Sequence, residues 1–224
     1  MKKLTFTGIS AVVSATAILL TGCSGVDSNF SADYVAAIMD ASYKGDFEHY
    51  LSMTDSSEAN AEEIYDSTVT YFADSLAYYC EVYTEDISED VYAEYITFAE
   101  DLLAKAKYTV SSSENGKDSC YVTVSVKPMN LLEQIEGDIE ACIEEYNTTL
   151  ETIDIENITD EDYLEIENNY AKSVLDALKK NAENLEYKDN VDYTIEIIID
   201  EEGYYAPANE DAWNTIDDYV MGLS

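Results

Sequence analysis

One histidine, four cysteines and 48 carboxylates are the side chains of this 224-residue chain best suited to chemistry. His49 stands beside Glu48 in a short amphipathic stretch. Nucleophilic catalysis would require that imidazole to meet a serine or cysteine and an orienting carboxylate. No GxSxG, SxxK, HExxH, phosphate-loop or dinucleotide glycine pattern brings such residues together, so His49 is expected as a solvated surface side chain. Carboxylate pairs suited to acid–base work occur at Glu62-Glu63, Glu144-Glu145, Asp160-Glu161-Asp162 and Asp217-Asp218. In a chain this acidic such pairs arise by chance, and none singles itself out.

Hard cations prefer carboxylate oxygens. The patches that would attract calcium are Asp160 to Asp162 with Glu165, and Asp200 to Glu202. Neither has the spacing of a twelve-residue EF-hand loop, and no metal or cofactor is expected. Cys80, Cys120 and Cys142 form no CxxC or CxxH pattern, which leaves zinc without support. They are expected as small buried hydrophobes, with one disulfide and a leftover thiol as the alternative in an exported protein. Twenty tyrosines invite a ligand platform, with Tyr65, Tyr78, Tyr187 and Tyr205 as candidates. Aromatic residues at helical or strand spacing are more often core.

The most specific pattern ends at the remaining cysteine. Lys2 and Lys3 precede a mostly apolar run, Leu4 to Leu20, diluted by threonines and serines, and Leu20-Thr21-Gly22-Cys23 closes it. A positive start, a short apolar stretch and small residues before a cleavage point form a secretory signal. The run is too short and hydroxyl-rich for a spanning helix. Leu20-Thr21-Gly22-Cys23 resembles the lipobox of bacterial surface lipoproteins. The resemblance implies a signal peptide over 1–22, diacylglyceryl and palmitate chains on the Cys23 terminus, and a lipid-anchored place on the extracellular face of the cytoplasmic membrane. Residues 23–31, small and polar after Cys23, read as a lipidated tether.

Charge narrows the partners. The formal charge is −37, every basic residue is lysine, and removal of residues 1–22 takes away two lysines and no carboxylate. Such a surface repels nucleic acid, whose binding requires phosphate neutralisation. It offers no polybasic patch to anionic lipid. The membrane is therefore reached through the lipid, and a protein or small-molecule partner stays open.

The elements that must position these residues can be read from periodicity. Ser31 is expected to cap a helix over Ala32 to Tyr43, with a Lys44-Gly45-Asp46 turn and a short helix at 47–53. The stretch Ala41 to Tyr50 resembles the opening of small exported NTF2-like domains, in which a cavity-lining helix runs into a Gly-Asp turn. Amphipathic helices follow at 58–83, started by an Asp55/Glu58 capping box, and at 89–106, capped by Ser88. The period then switches to two. Tyr108 and Val110 lead to the turn signal Asn115-Gly116, and Cys120, Val122, Val124 and Val126 alternate with polar residues up to Pro128. An Asn130/Glu133 box should begin a helix to Thr148, with an extended piece at Thr152 to Ile155, and Thr159/Asp162 should begin a long helix to Asn184. A second alternating run over 191–200, a short return at Tyr204 to Ala206 and a helix from Asn209 to Val220 finish the chain.

Two hairpins joined edge to edge make an antiparallel four-stranded sheet, and amphipathic helices must cover its apolar face. The expected fold is thus α+β, a single domain over 32–224 with a subdomain boundary near 128 as the alternative. The expected function is that of a non-enzymatic, membrane-anchored extracellular lipoprotein in a binding or envelope-associated role. The rivals are a solute- or polymer-binding module with a tyrosine-lined pocket, and an enzyme with an unrecognised carboxylate site.

Overall fold

The computed structural model describes residues 26–115, 119–154, 158–201, 204–209 and 211–223. Cys23 lies outside them. Helices α1 (Ser28–Lys44), α2 (Glu48–Met53), α3 (Glu58–Tyr79) and α4 (Glu89–Leu103) come first, followed by strands β1 (Lys107–Asn115) and β2 (Ser119–Lys127). Helices α5 (Leu131–Gln134), α6 (Glu136–Glu151) and α7 (Asp160–Ala182), strands β3 (Val191–Ile199) and β4 (Tyr205–Pro207), and helix α8 (Ala212–Met221) complete it.

The two hairpins do join edge to edge, in the antiparallel order β1-β2-β3-β4. Val122 faces Ile195 and Cys120 faces Ile197 across the β2–β3 seam, so the buried halves of both alternating runs fall on one side. Helices α1 and α8 pack against the sheet. The opposite face is polar, with the Thr123 and Thr194 hydroxyls 3.4 Å apart and the Tyr121 hydroxyl donating to Glu196 at 3.2 Å. Pro207 ends the chain's return on the edge strand β4, where the absent N–H costs no interior ladder bond. From the sheet outwards the helices follow one another: α3 on α1, α4 on α3, α7 on α4, and α6 on α7.

Several helix boundaries differ from those expected. Asp27, not Ser31, caps α1: its carboxylate accepts from the N–H groups of Asn29 and Phe30, both at 2.9 Å. Ser31 is wholly buried and donates to the Asp27 carbonyl at 2.8 Å. Residues 28–31 are therefore helix rather than tether, held down by Phe30, whose ring lies 4.7 Å from that of Tyr205. Ser57, not Asp55, caps α3, which ends at Tyr79 rather than Tyr83. Asn130 makes no side-chain cap, and its neighbourhood is organised by long-range bonds instead. Met129 N–H donates to Val220 carbonyl at 3.2 Å and Asn130 N–H to Glu186 carbonyl at 2.9 Å. The expected single helix divides at Ile135, and α6 runs past the expected end at Thr148 to Glu151; of the piece expected as extended, Thr152 to Asp154 form no strand and Ile155 lies outside the described residues. Asp211, not Asn209, precedes α8. The Ser88 cap and the Thr159–Asp162 capping box stand as expected.

No helix among the described residues is long and apolar enough to cross a membrane.

Candidate functional site

The residues singled out by type scatter over the molecule. His49 is exposed on α2. Glu62-Glu63 and Glu144-Glu145 point to solvent on α3 and α6. Asp160 to Asp162 form the first turn of α7, where negative charge suits a helix N-terminus. The Asp200 carboxylate accepts from the Tyr204 N–H at 2.8 Å, and Glu202 lies outside the described residues. Only the Asp217-Asp218 pair faces inwards. Asp217 accepts from the Tyr43 hydroxyl at 2.7 Å and Asp218 from that of Tyr71 at 3.1 Å, which ties α8 to α1 and α3. Tyr205 is buried, and Tyr65 packs against Phe47. Tyr187 donates to the Lys105 carbonyl, and Tyr78 is exposed at the far end of α3, so these four tyrosines build no common platform.

A different set converges. Tyr83, Tyr146, Tyr163 and Tyr170 line a cavity of about 300 Å3, together with Glu81, Asp86 and Glu167. By periodicity alone the four tyrosines read as members of helix stripes. Three pieces of chain build the walls: the corner after α3, the outer half of α6 and the first half of α7.

The corner owes its shape to the end of α3. Glu81 adopts a left-handed conformation at φ 58°, and the Val82 N–H reaches back to the Ala77 carbonyl at 2.8 Å. This is the arrangement in which glycine normally ends a helix. A glutamate there carries the steric cost of its Cβ. The reversal sends Tyr83 and the turn Thr84–Asp86 across the end of α7. Two bonds pin it. The Ser88 N–H donates to the Asn168 side chain at 2.9 Å, and the Tyr170 hydroxyl donates to the Cys80 carbonyl at 2.8 Å.

On the helical side, the rings of Tyr146 and Tyr170 lie 4.8 Å apart at 44°, bracing α6 against α7. The Tyr146 hydroxyl donates to Glu167, a carboxylate whose residue is only 6% exposed. Tyr83 and Tyr163 are 48% and 42% exposed, so their rings form an accessible rim above a buried acid. Beyond the Tyr146–Tyr170 pair a second cavity, of about 420 Å3, opens between α6 and α7 and carries Cys142 and Lys172 on its wall.

The electrostatics favour binding over bond-making. Burial raises the hydroxyls of Tyr146, Tyr163 and Tyr170 above their ordinary range, and Glu167 adds to the effect at Tyr146 and Tyr163. They are protonated donors near neutrality, not bases. Burial likewise pushes the Cys80 thiol up to about 12 and raises that of Cys142, which removes them as thiolate nucleophiles. Cys80, Cys120 and Cys142 are all free thiols, the first two buried. No group of three histidine, cysteine or acidic side chains among the described residues is arranged to hold a metal ion.

No family model matches the chain, and no curated protein matches it. Among solved structures, a "putative lipoprotein" from Bacillus subtilis subsp. subtilis str. 168 resembles it with a TM-score of 0.55 at 13% identity. The match covers 85% of this chain and 55% of that one, so the chain spans about half the length of the protein it resembles. At this identity the likeness is one of fold.

Proposed function

We propose that this chain is a lipid-anchored binding protein of the extracellular membrane surface, attached through Cys23, that holds a small ligand in the tyrosine–carboxylate recess and catalyses no reaction. The observation that carries the binding half is the convergence of Tyr83, Tyr146, Tyr163 and Tyr170 on one cavity with the buried carboxylate of Glu167, which accepts from the Tyr146 hydroxyl. Concave, aromatic-walled sites with a few fixed polar groups are the usual form of a small-molecule site. The anchoring half rests on Leu20-Thr21-Gly22-Cys23 and on the lipoprotein description of the structural neighbour. Two acyl chains hold a protein stably, at about 0.8 kcal/mol per buried methylene. The charge of −37 supports anchoring by lipid rather than by attraction to phospholipid.

Mass spectrometry of membrane-extracted protein is expected to find Cys23 as a diacylated N-terminus, and Cys23→Ser is expected to release the chain or leave its signal uncleaved. An unmodified mature protein in the medium, or unchanged membrane retention of Cys23→Ser, would overturn the anchor.

A further inference from the structure

We infer that the recess between α6, α7 and the corner after α3 recognises a small quaternary ammonium group. The inference deepens the binding reading above and rests on it. Four tyrosines and three carboxylates line this cavity, and no lysine does. None of Glu81, Asp86 and Glu167 is paired with a lysine among the described residues. The second cavity differs, since Lys172 stands on its wall beside Glu145 and Asp176.

The pieces match what such a cation needs. A quaternary ammonium has no N–H to donate, so it is held by ring faces and by unneutralised negative charge rather than by hydrogen bonds. The accessible rings of Tyr83 and Tyr163 supply the faces at the rim. Glu167 sits at the base, nine-tenths buried, its position fixed by the Tyr146 hydroxyl. The cavity, about 300 Å3, has room for a choline-sized group but not for an extended chain of sugars. An anionic ligand would meet three carboxylates with no compensating charge.

The test is an amide chemical-shift titration of the full chain in maltoside micelles. The probes are choline, its neutral isostere 3,3-dimethylbutan-1-ol, and ethanolamine. Choline is expected to give saturable shifts at Tyr83, Tyr163 and Tyr170, and the neutral isostere to bind at least about tenfold more weakly. Tyr163→Phe should keep choline affinity and Tyr163→Ala should lower it several-fold, because the ring and not the hydroxyl is used. Asp86→Asn should weaken choline and leave the isostere unchanged. Equal shifts from choline and the isostere, or tighter binding of ethanolamine, would overturn the cation inference while keeping the recess as a ligand site. No shift there from any probe overturns the inference. If the recess also stays silent to a set of neutral sugars and amino acids, the binding reading falls with it.

Discussion

Helices α4 and α6 are nearly the same length, 15 and 16 residues, yet they are used in opposite ways. Helix α4 buries Val91, Tyr95, Phe98, Ala99, Leu102 and Leu103 between α3 and α7. Helix α6 buries only Ile139. Both carry tyrosine on the inward side. In α4 the Tyr95 ring is fully enclosed and its hydroxyl is spent on the Ala171 carbonyl at 2.7 Å. In α6 the Tyr146 hydroxyl holds a carboxylate at the floor of a cavity. The same residue type thus closes one interface and props another open. What separates the two is whether apolar neighbours fill the space around the ring.

The contrast can be broken most severely at the closed end of the molecule. Gly222 ends α8 at φ 76°, and a Cβ there would lie 2.1 Å from the Met129 carbonyl oxygen. Gly222→Ala combines left-handed strain with a backbone clash, and is expected to cost about 4–5 kcal/mol in denaturant unfolding. An unchanged unfolding midpoint would mean that α8 does not lock onto the chain after β2. Next come paired truncations. Phe98→Ala should cost about 3–4 kcal/mol, as for a buried aromatic, whereas Ile143→Ala on the half-covered side of α6 should cost about 1 kcal/mol. Similar losses from the two would erase the distinction between closed and open interfaces.

Alkali sharpens the comparison. Burial raises Tyr34, Tyr43 and Tyr95 well above the ordinary tyrosine range, with Asp217 adding to the effect at Tyr43. Their stabilising contribution is complete below the unfolded value of about 10 and is lost as pH rises towards the folded one. Stability should therefore hold to about pH 10 and then fall. Absorbance at 295 nm should show Tyr34, Tyr43 and Tyr95 ionising only with the cooperative loss of structure. A small gain rather than a loss is expected at Glu81→Gly. Relief of the left-handed strain should raise stability by about 1 kcal/mol, while one carboxylate leaves the recess and ligand binding weakens. Stabilisation with unchanged binding would make Glu81 a structural accident.

Much of the framework was legible because it is local. The alternation of Cys120, Val122, Val124 and Val126 sets β2 on its own, and Ile195 and Ile197 do the same for β3. Thr159 and Asp162 announce the start of α7 through a three-residue bond pattern. The misreadings fall where distant chain decides. Phe30 is drawn into α1 by Tyr205, and the break at Ile135 accompanies bonds from Met129 and Asn130 to Val220 and Glu186. The recess was illegible for a related reason. Tyr146, Tyr163 and Tyr170 sit on helix stripes that look like core faces, and only the packing of α6 on α7 leaves space beside them. The single local hint was an acidic residue, Glu81, at a helix end that glycine would suit better.

The displaced start of α1 has a mechanical consequence. Asp27 already belongs to the folded body, its N–H donating to the Tyr205 hydroxyl at 3.2 Å. On the proposed acylation of Cys23, four peptide units would join the bilayer to that point, a span of at most about 14 Å when fully stretched. A body on so short a leash could not roam the space above the membrane. It would drift sideways in a thin sheet of liquid next to the lipid heads. Encounters then depend on how many molecules share a given area of membrane, so its occupancy would track surface density more closely than bulk concentration.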